Sequence, residues 1–136
     1  SDLIEKVVRY HCEPWNFMNP SPTTSPLLII LHQPAGAPPP PEELKKIMAR
    51  FQTWMDGIRA RHTVLSSNGL AHTGVVMRGA GGLSMTDGPY PEGTEVVGGY
   101  VLLEAETMDQ VIAAGRACPG LDYNMAVEVR PVMSRA

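Results

Sequence analysis

The chain has 136 residues, 43% of them apolar and 18% charged, with a formal charge of −3. That length makes one domain with a core of its own, and that composition excludes a disordered chain. No cluster of Lys and Arg is present to neutralise a phosphate backbone, so direct nucleic-acid binding is disfavoured.

Cys12 and Cys118 form neither a C-x-x-C pair nor a metal-ligand spacing, which predicts ordinary thiols in a reducing, cytoplasmic compartment. Ser1 to Arg9 is charged and no apolar leader is expected. The longest purely apolar run, Leu27 to Leu31, is far too short to span a bilayer.

Residues 1–26 read as an arm ahead of the first strand. Leu3, Ile4, Val7 and Val8 lie at helical spacing, and Trp15 and Phe17 are expected to pin the arm to a surface. Proline-rich zones at Pro14–Pro26 and Pro34–Pro41 are incompatible with helix interior or central strand, and they isolate the strand Leu27–Leu31. Pro41-Glu42-Glu43 starts a helix, with proline at the first position and carboxylates at the positive end of the dipole. Leu44, Ile47, Met48, Phe51, Met55 and Ile58, with Trp54 beside them, form its apolar stripe.

Thr63–Leu65 is a short strand candidate, and Asn68-Gly69 reads as a turn. Thr73–Arg78 and Leu83–Asp87 flank Gly79–Gly82 as a hairpin, and Val97–Glu104 is a further strand. Thr107 and Gln110 fit a capping box for a second helix that packs through Val111, Ile112, Ala114 and Ala117 and stops at Pro119-Gly120. Met125–Val132 is the last strand.

This order predicts an α+β sandwich with both helices on one sheet face. Leu27–Leu31 and Tyr100–Leu103 are apolar on both faces, because successive side chains point opposite ways. Each large apolar side chain buried is worth about 1.5–3 kcal/mol. The second face is therefore expected to be covered by another subunit, giving a homodimer by isologous pairing.

Thr86-Asp87-Gly88-Pro89-Tyr90, then Glu92, Glu95 and Gly98-Gly99-Tyr100, is similar to the DGPF signature and the strand that follows it. Cys118-Pro119 and Val127-Glu128-Val129-Arg130-Pro131-Val132 resemble the same family's closing segment, and Leu27–His32 its opening strand. The chain thus resembles the DGPF type of the YCII-related family over about residues 27–133, with 134–136 as a tail. The resemblance implies a ferredoxin-like sandwich with an extra β-hairpin, forming a dimeric α/β barrel. It also implies association, in some members, with extracytoplasmic-function sigma factors. Distant lyases of the family use a His near the start of the first helix and an Asp near the end of the first strand. Here those positions read Glu42-Glu43-Leu44 and His32-Gln33, so that pair is not carried over. Tyr90 stands where the type usually has Phe, and Thr94 where it has Lys.

Two residues are candidates for catalysis. Asp87 closes a strand before Gly88-Pro89, as a turn-forming residue or as a general base. His32 ends the first strand on the face of Leu28 and Ile30, and imidazole exchanges protons near neutral pH. Tyr90, Glu92, Glu95, Trp54 and Tyr100 are the candidate ligand contacts. His11, His62 and His72 have no spaced partners, so neither a metal site nor a cofactor is expected. Gly79–Gly82 lacks the G-x-x-x-x-G-K pattern of a phosphate loop. The sequence favours binding, or a cofactor-free, lyase-like acid/base transformation, of a small molecule in a pocket at the sheet face near Asp87. The alternative is a non-catalytic regulatory module that associates with a sigma factor.

Overall fold

The apolar run between the two proline zones becomes an inner strand. The computed structural model describes residues 24–92 and 94–133. The chain runs β1 (Ser25–Pro34), α1 (Pro41–Arg61), β2 (Thr63–Gly69), β3 (Val75–Arg78), β4 (Ser84–Asp87), β5 (Pro91–Glu92), β6 (Glu95–Ala105), α2 (Met108–Arg116) and β7 (Ala126–Pro131). The arm helix at Leu3–Val8, His11, Cys12, Trp15, Phe17 and the tail 134–136 lie outside the described residues.

The main sheet is antiparallel in the order β2-β6-β1-β7, with β5 also pairing with β6. Without the separate β3–β4 hairpin and the two-residue β5, the order is βαββαβ, consistent with the ferredoxin-like expectation. β1 and β6 take the interior because both are apolar on each face, while Pro131 is placed on edge strand β7. Leu27, Ile29 and Leu31 of β1 and Val101, Leu103 and Ala105 of β6 pack with Trp54, Ile58 and Val111 from the helices. Ile29, Val101, Leu103 and Val111 are the largest fully buried side chains.

Helix α1 begins as its sequence dictates, with Pro41 in the first turn beside Glu42 and Glu43, and Arg59 and Arg61 in the last. Its stripe is only half used. Trp54 and Ile58 are buried, but Leu44 and Met48 are exposed, contrary to expectation. The anchors lie from the middle of the helix onward. Arg50 donates to Asp122 and Tyr123, Phe51 meets Trp54 edge to face, and Trp54 Nε1–H donates to the Ala114 carbonyl at 2.8 Å.

In α2 the Gln110 amide donates to Thr107 Oγ1, and the Gln110 side chain accepts from the Glu106 N–H. The reciprocal cap therefore forms one residue earlier than a strict capping box. Val111 and Gly115 are its buried positions, whereas Ala117 is exposed. A Cβ at Gly115 would crowd Val127, so the lack of a side chain sets the closeness of helix and sheet. The adjoining Cys118 is buried, and burial pushes its thiol pKa up, against the lowering effect of the Gly120 and Leu121 amides. That setting fits an unreactive core thiol.

Asn68-Gly69 is strand rather than turn: Asn68 pairs with Tyr100 and Gly69 with Gly99. The Asn68 amide is satisfied across the strand by the Tyr100 phenol, and the paired glycines let the two backbones approach closely. The expected hairpin turn at Gly79–Gly82 does form, and Gly79, Gly81 and Gly82 all have positive φ there, a conformation that costs glycine little.

Ile29→Ala is expected to lower unfolding free energy by about 2–5 kcal/mol, and Thr107→Ala by about 1 kcal/mol. Leu28→Ala, on the half-buried face, should cost the isolated chain less than Ile29→Ala. Urea unfolding of the three variants under monomeric conditions checks the ranking.

Candidate functional site

Strand register assigns the second sheet face. Leu28 pairs with Leu102 and Arg130, Ile30 with Tyr100 and Glu128, and His32 with Val97 and Ala126. Ser66 and Asn68 of β2 join this face opposite Leu102 and Tyr100. Its centre is an apolar floor of Leu28, Ile30 and Leu102, all half-buried, with polar groups on either side.

His32 is the buried polar residue of this face, at 8% exposure. Its Nε2–H donates to Glu128 Oε1 at 2.8 Å, and Glu128 Oε2 lies 3.9 Å from Arg130 Nε. A carboxylate can only accept, so this contact places the proton on Nε2 and, in the neutral ring, makes Nδ1 the basic nitrogen. Glu128 thereby holds the ring in one tautomer and orientation. A bulge supports the position. β6 inserts Gly98 between the partners of Leu31 and His32, and a Cβ there would overlap the Gln33 side chain. Gln33 in turn donates to His72 Nε2 at 2.7 Å, tying the loop after β2 to the end of β1.

Across Ile30 stands Tyr100. Its hydroxyl shares a 2.8 Å hydrogen bond with Ser66 Oγ and accepts from Asn68 Nδ2 at 3.2 Å. These bonds, Ser66 first and then Asn68, lower the phenol pKa against the opposing effect of desolvation. The face thus has a phenol with two polar neighbours on one side and an imidazole–carboxylate pair on the other.

The other candidates are dispersed. Trp54 belongs to the core on the helix side of the sheet, and its N–H is already bonded. Asp87 ends β4 and is exposed, and no hydrogen bond links it to His32 among the described residues. An Asx bond to the backbone two residues on does not form either, because that residue is Pro89, which has no N–H. The Gly88 amide instead donates to the Gly74 carbonyl at 2.8 Å and closes the base of the hairpin. Tyr90 is exposed, with the Arg78 guanidinium 4.9 Å over its ring. Glu95 begins β6 opposite Pro34, and the backbone of Glu92 pairs with it in β5.

The sequence assigns no site role to Glu128, Ser66, Asn68 or Arg130. Alternation in Val127–Arg130 assigns Glu128 and Arg130 to one face, but only the placement of β7 beside β1 shows that His32 shares it. On the opposite side of the sheet, an open groove of ≈ 1020 Å³ runs between the helices over Trp54, Ile58 and Ala114, with Arg59 and Glu106 among its lining residues. Among the described residues no group of His, Cys, Asp and Glu has the makings of a metal site. No helix there is long and apolar enough to cross a membrane.

A family model described as the YCII-related domain matches residues 27–134. No curated protein matches the chain.

Removing both Tyr100 partners, in Ser66→Ala/Asn68→Ala, should move its ionisation to higher pH. Ultraviolet titration of the phenols, assigned with Tyr100→Phe, reads the shift. The sign also appears in stability. The folded state releases this proton before the unfolded chain does, so stability is gained as pH rises through the folded transition and is complete above the unfolded value.

Proposed function

The chain belongs to the YCII-related family, and on that footing we propose that it binds a small molecule over the sheet face of His32 and subjects it to cofactor-free acid/base, lyase-type chemistry. The observation that carries this reading is the buried His32 whose Nε2–H is held by Glu128 at 2.8 Å. Structural histidines also make such bonds, but this one stands beside an apolar floor with a hydrogen-bonded phenol at its far side. That combination suits a carbon skeleton carrying an ionisable oxygen. His32 is the proposed acid/base group, Glu128 its positioning residue, and Tyr100 a ligand contact.

In this proposal the face is closed by a second copy, giving the dimeric α/β barrel of the DGPF type. Half-buried Leu28, Ile30 and Leu102 supply the apolar centre that such an interface needs. Asp87-Gly88-Pro89-Tyr90 supports the DGPF assignment, and the buried free thiol of Cys118 fits a reducing cytoplasm.

A thermal-shift screen of small acids, phenols and amines tests the site. A ligand at about a hundred times its Kd adds about 2.7 kcal/mol of stability. The wild-type shift is expected to vanish in His32→Ala and to shrink in Glu128→Gln. If every ligand shifts His32→Ala as it shifts wild type, the site is elsewhere, and equal shifts in Asp87→Ala remove Asp87 from it. Separately, Ile30→Glu should turn a dimer into a monomer in sedimentation equilibrium.

A further inference from the structure

The β3–β4 hairpin displays an apolar face that none of the other described elements covers. Val75 pairs with Asp87 and Met77 with Met85, which places these four side chains on one side of the ribbon. Val75, Met77 and Met85 are each more than half exposed, and Leu83 at the tip is 90% exposed. The other side carries half-buried Val76 with Arg78, Ser84 and Thr86, and Arg78 lies over the Tyr90 ring.

The base of the ribbon is held. The Gly88 amide donates to the Gly74 carbonyl, the Leu70 amide to the Gly98 carbonyl, and Gln33 to His72. A two-stranded ribbon of four-residue strands has too little to bury for stability of its own. Here its apolar side chains stay in solvent instead of folding back onto the main sheet.

We propose that this hairpin is a dimerisation arm whose Val75–Met77–Leu83–Met85 face docks on a second copy of this chain. The inference rests on the paired-sheet reading above and adds the element that secures the pair. The four side chains expose roughly 500 Å² of mostly apolar surface, the scale of the largest patch on an ordinary monomer. In an isologous pair each copy gives one arm and receives one. The arms and the surfaces they cover then bury roughly 2,000 Å², the upper end of a standard stable interface. A second copy is the occupant that fits, because the chain already carries another apolar surface, around Leu28, Ile30 and Leu102, that a twin would cover. Methionines suit such an arm because their flexible thioethers conform to the surface they meet. Asp87 lies on the docking side at the base of the ribbon and becomes a polar rim residue of the interface.

Met77→Glu/Met85→Glu tests the arm without touching the core, since both side chains are exposed. Sedimentation equilibrium is expected to give a wild-type dimer at micromolar concentration and a dimer Kd about tenfold or more weaker in the variant, with an unchanged circular dichroism spectrum. Peroxide oxidation of the wild-type chain gives an independent readout. Met77 and Met85 should oxidise more slowly as protein concentration rises through the dimer range, while exposed Met133 serves as the reference. A wild-type dimer that Ile30→Glu breaks but the methionine variant leaves intact overturns the arm and spares the sheet-face reading. Concentration-independent oxidation of Met77 and Met85 also overturns the arm. A wild-type chain that stays monomeric at every concentration overturns both.

Discussion

Ten residues of β1 run antiparallel to β6, from Ser25 opposite Ala105 to Pro34 opposite Glu95, and this pairing decides the role of each side chain in both strands. A slip of one position would exchange Ile29 for Ile30 against the helices and turn His32 into the core. The register is held by chemistry at each end. Leu27, Ile29 and Leu31 fill the space beneath α1 and α2. At the other end the extra residue Gly98 absorbs the bulge and leaves room for the Gln33 side chain. His32 faces Glu128 because the alternation that buries Ile29 must present His32 on the reverse side.

The elements were legible where a pattern repeats over many residues. The 3.6-residue period of α1, the Thr107 cap and Pro119-Gly120 stop of α2, and the apolar run of β1 each occupy the place that local physics assigns them. Failures occurred where a distant contact overrides a local preference. Asn68-Gly69 is a strong turn pair in isolation, yet the Tyr100 phenol and the glycine beside it on β6 recruit both residues into strand β2. Leu44 and Met48 carry the helical stripe, but the bonds of Arg50 and Trp54 hold α1 only from its middle onward.

The site was legible in part for the same reason. His32 and Tyr100 each stand in a strand of recognisable alternation, so their shared face follows once β1 is paired with β6. Glu128 lies 96 residues from His32 in sequence, and no spacing rule reaches across that interval. Asp87 shows the converse. Its motif is conspicuous, but the motif's local work is to close a hairpin through Gly88 and Gly74, and the carboxylate is left in solvent.

Both exposed apolar surfaces follow from one shortage. Two helices on one side of a four-strand core leave Leu28, Ile30 and Leu102 half covered, and the inserted hairpin adds Val75, Met77, Leu83 and Met85 without adding anything to cover them. For a chain meant to remain alone, polar residues at these positions would be cheaper, since exposed apolar area gains nothing from burial and promotes association. Polar residues do occur where this face runs to its edges, at Ser66, Asn68, Glu128 and Arg130. An apolar centre with a polar rim is the composition of an interface core. In the same arrangement, water excluded over Ile30 would strengthen the electrostatic interactions between Tyr100, His32 and any ligand lying between them. The proposed twin and the proposed chemistry at His32 thus make use of the same square of sheet.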